Sequence, residues 1–318
     1  MKHFLLLFLV FPSFYFSQEN YIVDYFGKDS TNYLFVNTDD LIEERWDLLA
    51  QPNFWKEVML LHPDSCLINI AATRTILGKD SFIKWKAQTE EEKTLYKDSV
   101  RKTYSLSPTE KIYVTSGKSH FYQFEKVIPS ISKAIPIFKK HNTDPWYAQA
   151  ILLIESPGKI EFSNVGAYGP FQLMKSVARS HGLIVNKTVD ERKDFNKSAM
   201  GAASLIRKTC IPQAKRILTE NNIPYSEDEV WFKLFVLHIY HAGAGNVEGL
   251  IKSFEDKPTN QQLITKMWQS EWGGFKNASQ NYSQVALAAM LNLRTVIDKG
   301  CDNYHGCSLE EVQYPISN

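Results

Sequence analysis

The feature that most constrains the fold is a short, almost wholly apolar segment at residues 147–154, YAQAILLI. Just before it, Asp144 offers a side-chain acceptor at the N-cap position. Pro145 stands at the first helical position, where proline is favoured. Because the segment is apolar on nearly every face, it predicts a helix that is buried rather than amphipathic.

One acidic residue, Glu155, closes this helix, and Pro157 and Gly158 stop the helix two residues later. A carboxyl at the end of so apolar a helix is partly desolvated, which favours its neutral form and raises its pKa. A carboxylic acid that is protonated near neutral pH suits general-acid catalysis. From position alone, the alternative is a solvated helix-end glutamate, or one paired with a nearby lysine or arginine.

Composition sets broad limits on the class of protein. The chain has 318 residues, enough for one large or two medium domains. Its hydrophobic content is 44% and its net charge +1, with no long block of like charge and no low-complexity tract. These values are typical of a globular protein and do not favour disorder or a nucleic-acid partner.

The first residues predict export. A short basic region with Lys2 and His3 precedes an apolar core, and a polar cleavage zone follows near Ser17. This order is typical of a secretory signal peptide, here residues 1–17. The alternative is an uncleaved anchor, although Pro12 and Ser13 interrupt the apolar run. We therefore expect the mature protein in the periplasm or cell envelope.

The sequence has four cysteines, and an exported protein can join an even number of them in disulfides. Cys301 and Cys307 close a short loop and are the easiest pair to bridge. Cys66 and Cys210 could bridge or remain buried thiols. Without a CxxC motif, and with His305 the only histidine nearby, a zinc site is not favoured.

The pattern along the chain predicts an all-α, mainly helical protein. Residues 18–124 are expected to form a mainly helical region of unknown role, with a helix over residues 66–77 after Asp64 and Ser65 and a solvated one over 84–102. Residues 112–114 alternate like a strand but could be a loop. A helical domain is predicted over 125–298, and 299–318 form a short Cys-bearing tail. The polar linker within this domain carries Asp190, Glu191 and Asp194, which we expect to pair with Arg192 or Lys193.

Three sequence blocks follow one another in this predicted domain. They are E-S with S-N-V-G-A-Y-G-P-F-Q within residues 155–172, Y-H-A-G-A-G-N-V at 240–247, and Q-N-Y at 280–282. Together they resemble the SLT-domain lytic transglycosylases, whose pattern runs E-S, S-x-x-G-A-x-G-x-x-Q, A-Y-N-x-G-x-G-N-V and a later tyrosine. The linker between the first two blocks is most similar to the membrane-bound lytic transglycosylase D branch. The resemblance covers roughly residues 125–298.

The resemblance implies a goose-lysozyme-like helical fold and cleavage of the β-1,4 bond between N-acetylmuramic acid and N-acetylglucosamine. Glu155 would be the sole catalytic carboxyl, acting first as acid and then as base toward the sugar's own 6-hydroxyl, which leaves a 1,6-anhydro end. Most glycosidases use two carboxylates, whereas here substrate groups replace the second. The implied partner is the peptidoglycan glycan strand. No metal or other cofactor is implied, a monomer is expected, and peripheral association with the envelope stays open.

The matched positions also imply a set of substrate-binding residues. Gly166 and Gly169 would let the backbone approach the sugar closely, and Gln172 offers both a donor and an acceptor. Tyr240 and Tyr282 would fix the acid and cover sugar faces, although Tyr240 could instead be a core aromatic. The full set is Ser156, Gly166, Ala167, Gly169, Gln172, Tyr240, His241, Asn246 and Tyr282.

The sequence also departs from the family pattern. His241 stands where the family has asparagine, which introduces an imidazole that could titrate near neutral pH. The loop at 155–166 is one residue shorter than usual, and Pro170-Phe171 replaces a common Leu/Ile-Met or Leu-Trp. We expect these changes to affect substrate positioning. Two alternatives remain: a muramidase in which water attacks, and a catalytically silent peptidoglycan-binding module. The cost of burying Glu155 argues against the second.

Overall fold

The computed structural model describes residues 22–26, 31–155 and 166–304. The predicted signal peptide at 1–17, Ser156, the shortened loop after Glu155 and Cys307 lie outside the described residues. Within the described part, no helix is long and apolar enough to span a membrane.

The mainly α fold class is confirmed. The α-helices are α1 (Asp39–Glu43), α2 (Ala50–Leu60), α3 (Phe82–Ala87), α4 (Glu90–Thr103), α5 (Phe124–Lys140), α6 (Pro145–Glu155), α7 (Lys175–Ser180), α8 (Phe195–Leu205), α9 (Ile211–Glu220), α10 (Val230–Ala242), α11 (Ala244–Ser253), α12 (Asn260–Trp268) and α13 (Asn277–Tyr304). Short 3-10 helices lie at Trp46–Leu48 and Glu191–Lys193, and a π-helical turn at Ile206–Cys210 joins α8 to α9.

Two small antiparallel sheets lie among the N-terminal helices. One pairs β1 (Ile22–Phe26) with β2 (Asn32–Val36), and the other has the order β4-β3-β5, with β3 at Ser65–Ile70, β4 at Ile76–Ser81 and β5 at Ile112–Ser116. The predicted helix over 66–77 is therefore wrong, and the strand interpretation of 112–114 is confirmed. A short apolar run such as the one in β3 cannot be assigned to helix or strand from its period alone.

The predicted charged helix over 84–102 is two helices. Thr89 accepts a hydrogen bond at Oγ1 from the Glu92 backbone N–H, while Glu92 Oε2 accepts one from the Thr89 N–H. This reciprocal capping box starts α4 afresh after α3 has ended.

The predicted buried helix, α6, is confirmed as the centre of the core. It packs between α5 and α13, and every residue from Pro145 to Leu153 is buried. Asp144 Oδ1 accepts a hydrogen bond from the Trp146 N–H at 2.8 Å, as an N-cap residue does. The one polar side chain within this stretch, Gln149, bonds both the N–H and the C=O of Val36 on β2 at 2.8 and 2.9 Å. The N-terminal hairpin and α6 thus share one core.

The structure decides whether Cys66 and Cys210 form a disulfide. Cys66 lies on β3 and Cys210 in the π-helical turn, and both are buried free thiols. Burial raises the pKa of the Cys210 thiol to about 12, which keeps it protonated and unreactive. A bridge between these two is ruled out, and the pairing of Cys301 with Cys307 stays a prediction.

Candidate active site

Glu155 is the last residue of α6 and points toward the second turn of α13. The Tyr282 hydroxyl donates a hydrogen bond to Glu155 Oε1 at 2.9 Å. Burial raises the pKa of Glu155 to about 7, and the hydrogen bond from Tyr282 acts in the opposite direction. Within the described part of the chain, no lysine or arginine forms an ion pair with this carboxyl. Glu155 is half-buried, which disfavours a fully solvated carboxyl, and its role as general acid stays a prediction.

Two tyrosines from different helices lie close enough to this carboxyl to be affected by its charge. Tyr282 is almost fully buried, and the Tyr240 hydroxyl at the end of α10 donates to the Phe171 carbonyl at 2.5 Å. Burial, and then the charge of Glu155, hold the pKa values of both phenols well above their ordinary range. Both side chains therefore stay neutral hydrogen-bond donors, within electrostatic reach of the acid.

His241 lies on the outer side of the same cluster. Its ring stacks on the Tyr282 ring with centroids 4.3 Å apart and an interplanar angle of 23°. The histidine remains exposed to solvent, yet the protein atoms around the imidazole lower its pKa through desolvation. A neutral imidazole thus covers the tyrosine that holds the acid.

The Gly-rich turn is a tight loop held by backbone hydrogen bonds and by the packing of Phe171. Tyr168 and Leu173 exchange two backbone hydrogen bonds of 3.1 Å. Phe171 is fully buried and stacks on Phe138 of α5, with centroids 5.6 Å apart. Gln172 has a φ of +46°, and its Nε2 donates to the Gly169 carbonyl at 3.0 Å. The Gln172 amide therefore braces its own turn.

The two glycines of this turn are needed for different reasons. Gly169 has a φ of +84°, and a Cβ there would lie 2.0 Å from the Arg192 carbonyl oxygen. A close approach of the chain to itself therefore requires glycine here, and the expected sugar contact stays a prediction. Gly166 has a φ of +88° with open space around it, so only the backbone conformation favours glycine there. Ala167 is 7% exposed and offers little surface to a substrate.

Arg192 is the residue that fastens the linker to this turn. It is fully buried, and one guanidinium nitrogen donates to the carbonyls of Gly166 at 3.0 Å and Leu173 at 2.9 Å. The predicted pairing with Asp190 is confirmed at 2.7 Å, and this contact lowers the pKa of Asp190. The linker motif thus holds the Gly-rich turn in place, a role that its sequence alone did not predict.

The side chain of Asn246 forms two hydrogen bonds within the protein. Its Nδ2 donates to the Ala242 carbonyl at 2.8 Å, and its Oδ1 accepts from the Gly274 N–H at 2.9 Å. The side chain joins the turn between α10 and α11 to the loop that precedes α13. Asn246 therefore has a structural role, and its expected contact with substrate stays a prediction.

Tyr122, from the N-terminal region, is a neighbour of the acid that the sequence did not reveal. It is 9% exposed, and burial together with the charge of Glu155 raises its pKa. No motif surrounds it, and only the aromatic cluster F-Y-x-F marks the segment. Its proximity arises from tertiary packing, which a local pattern does not encode.

No group of three or more His, Cys, Asp or Glu side chains suited to a metal ion occurs in residues 22–26, 31–155 and 166–304. The predicted absence of a cofactor stays a prediction.

Comparison with known proteins adds one match. Residues 134–263 match the family model described as the transglycosylase SLT domain. No curated protein matches the chain. The match includes Glu155, the Gly-rich turn and Tyr240, whereas Tyr282 lies beyond its end. It supports the SLT lytic transglycosylase family, a lysozyme-like helical fold for this part of the chain, and peptidoglycan transglycosylase activity in general.

Proposed function

We propose that the protein is an exported peptidoglycan lytic transglycosylase. It cleaves the β-1,4 bond between N-acetylmuramic acid and N-acetylglucosamine, leaves a 1,6-anhydro end, and uses Glu155 as its single acid and base. The observation that carries the proposal is a carboxyl at the end of a buried helix, with a pKa of about 7 and a hydrogen bond from Tyr282. It lies inside the part of the chain that matches the SLT domain.

In the first step Glu155 acts as a general acid. With a pKa of about 7, a large share of the molecules carry a protonated carboxyl at neutral pH. That proton passes to the glycosidic oxygen as the bond to the muramic acid C1 breaks. Tyr282 donates to Oε1, and we place the proton in transfer on Oε2. General-acid catalysis of this kind contributes about 10²–10⁴-fold to a rate.

In the second step the resulting carboxylate acts as a base. It takes the proton from the muramic acid 6-hydroxyl as that oxygen bonds to C1, so Glu155 ends the cycle protonated again. The Tyr282 hydrogen bond stabilises the carboxylate, while burial stabilises the acid. Because the two effects oppose one another, one group can serve in both steps.

The surroundings of Glu155 favour help from the substrate over a second enzyme carboxylate. Among the described residues, burial and Tyr282 alone shift the pKa of Glu155, and no other acid contributes. A conventional glycosidase places its second carboxyl about 5–9.5 Å from the first.

We place the protein in the membrane-bound lytic transglycosylase D branch because the linker between its first two sequence blocks is most similar to that branch.

The experiment compares the purified protein with Glu155→Gln on cell-wall sacculi. We expect the wild type to release soluble muropeptides and the variant to release them at least about 10²-fold more slowly, the lower range for loss of a general acid. Full activity in the variant would refute the assignment of Glu155. Binding of the wild type to sacculi without release would instead favour a silent binding module.

Export is tested separately from activity. Expression of the full chain followed by N-terminal sequencing of the mature protein should place the start after residue 17, in the periplasmic or envelope fraction. An intact Met1 on an envelope-bound product would favour the uncleaved anchor.

A further inference from the structure

We propose that Arg74, in the N-terminal region, is a positioning residue of the active site. It fixes the first turns of α13 so that the Tyr282 hydroxyl reaches Glu155. This inference deepens the proposed function and rests on it for its effect on turnover. It also gives part of residues 18–124 a role that their sequence does not indicate.

Arg74 lies in the turn between β3 and β4 and is 6% exposed. One of its guanidinium nitrogens donates to Asn281 Oδ1 at 2.9 Å and approaches Asn277 Oδ1 at 3.5 Å. Asn281 Nδ2 in turn donates to Asn277 Oδ1 at 3.0 Å. Asn281 immediately precedes Tyr282. The arginine therefore binds α13 directly beside the tyrosine that donates a hydrogen bond to Glu155.

The positively charged guanidinium of Arg74 lies among aromatic rings. Its guanidinium carbon lies 5.4 to 5.7 Å from the ring centroids of Phe54, Trp55 and Tyr113. In the described part of the chain no carboxylate pairs with it, and burial lowers its pKa. Burying a cation without a counter-ion is costly. The structure gains from it a charge-assisted bond to the helix, which is stronger than a bond between neutral groups.

A second contact from the N-terminal region grips the same turn of α13. Trp55 Nε1, on α2, donates to Gln284 Oε1 at 3.1 Å. On another side, Ser283 Oγ accepts from Trp268 Nε1 at 2.7 Å and lies 2.8 Å from His238 Nε2. The residues that flank Tyr282 are thus tied to α2, α10, α12 and the β3–β4 turn.

The contacts of Arg74 with α13 affect the distance between the Tyr282 hydroxyl and Glu155. The hydrogen bond from Tyr282 to Glu155 is 2.9 Å long, and a misplacement of about 1 Å is enough to impair catalytic geometry. That bond also lowers the pKa of Glu155 against the effect of burial. If α13 loosens, the carboxylate loses its donor and the pKa of Glu155 rises. Turnover then falls through the base step, while binding of the glycan strand changes little.

The test compares the pH dependence of muropeptide release for the wild type, Arg74→Gln, Asn281→Ala and Tyr282→Phe. Loss of a hydrogen bond to a charged carboxylate shifts a pKa by about 1 unit. We expect the midpoint of the basic limb to rise by about 1 unit in Tyr282→Phe and about half of that in the other two variants. kcat should fall by about tenfold in Arg74→Gln with KM unchanged. In Arg74→Gln/Tyr282→Phe the midpoint should move no further than in Tyr282→Phe alone.

Two further variants serve as controls. Arg216→Gln removes an arginine that pairs with Glu220 and Glu248 on the surface, and it should leave the midpoint unchanged. Arg74→Lys keeps the charge and one donor, and it should restore part of the shift. A purely structural role for Arg74 would lower the melting temperature without moving the midpoint.

The inference is overturned if the midpoint of folded Arg74→Gln equals that of the wild type. Should that variant fail to fold, Asn281→Ala decides, since it keeps Arg74 and removes the Asn281 contacts with Arg74 and Asn277. NMR titration of the Glu155 carboxyl carbon gives the same comparison without turnover. An inactive wild type whose Glu155 pKa still responds to Arg74→Gln would refute the proposed function and leave this inference standing.

Discussion

At the scale of single residues, the proposed activity depends on how one carboxyl is kept about half protonated at neutral pH. From residue 147 onward, Glu155 is the only charged group on a helix whose other residues are apolar except Gln149. Burial raises its pKa to about 7, and the Tyr282 hydroxyl limits that rise. The same burial that makes the acid useful therefore costs stability whenever the carboxyl ionises.

This cost gives a prediction for Glu155→Gln. The pKa of Glu155 rises from 4.5 unfolded to about 7 folded, so the folded state binds more protons between these values. Stability is thus lost as pH rises through this window. At about pH 8, Glu155→Gln should raise the free energy of unfolding by up to about 3 kcal/mol, and at about pH 4 by little. Urea denaturation at both pH values measures it.

The matched control is Glu248→Gln. The Glu248 carboxylate pairs with Arg216 and Lys252, and these contacts lower its pKa to about 2. Its amide variant should show no stabilisation at high pH. If Glu155→Gln raises the free energy of unfolding equally at both pH values, the raised pKa of Glu155 is wrong.

His241 gives a second prediction, because its ring lies against Tyr282. Its pKa is lowered, so the imidazole is neutral at neutral pH and becomes a cation only on acidification. A cation beside the Tyr282–Glu155 pair would stabilise the carboxylate and so make it a weaker base in the second step. In His241→Asn, muropeptide release should therefore persist to lower pH than in the wild type, with little change at about pH 8. Identical acid limbs would show that His241 does not affect the acid.

At the scale of elements, the Gly-rich turn depends on packing between two loops. A Cβ at Gly169 would meet the Arg192 carbonyl oxygen at 2.0 Å, and the φ of +84° is unfavourable for other residues. We expect Gly169→Ala to lower the free energy of unfolding by about 3 kcal/mol or more. Gly245→Ala is the control, since its Cβ would meet open space within α11. It should be neutral or slightly stabilising.

Thermal and urea denaturation of both variants check this prediction. Equal stability of Gly169→Ala and the wild type would mean that the turn and the linker are not in contact as described.

Local signals explain which elements the sequence could predict. The sequence predicted α6 because Asp144 and Pro145 mark the start of a helix just before the apolar run at 147–154. The β3 strand at Ser65–Ile70 was missed, since a short apolar run fits either a strand or a buried helix. In the site, Glu155 and the two tyrosines follow from motif order. The structural roles of Gly169 and Asn246, and the proximity of Tyr122, depend on contacts between distant segments.

At the scale of the whole molecule, the N-terminal region and the helical domain share one hydrophobic core. Glu44, just after α1, accepts a hydrogen bond from the Val230 N–H at 3.3 Å and so caps the start of α10. The far end of the same helix carries Tyr240. The segment that precedes the matched domain is thus packed into the framework that holds the site.

This sharing predicts a single unfolding transition. Glu44→Ala removes a carboxylate from a helix N-terminus and should lower stability by about 1 kcal/mol, with both regions unfolding together. Glu43→Ala, at the exposed end of α1, is the control. Tryptophan fluorescence and far-ultraviolet circular dichroism should give coincident curves for each. Separate transitions would contradict a shared core.

We propose that the sugar's own hydroxyl, and not water, attacks after Glu155 has protonated the leaving oxygen. Digestion of sacculi in water enriched in heavy oxygen, followed by mass spectrometry of the released muropeptides, distinguishes the two nucleophiles. We expect the wild type to release 1,6-anhydro ends without the heavy isotope, and Glu155→Gln to release none. Reducing ends that carry the heavy isotope would contradict the proposal and identify a muramidase.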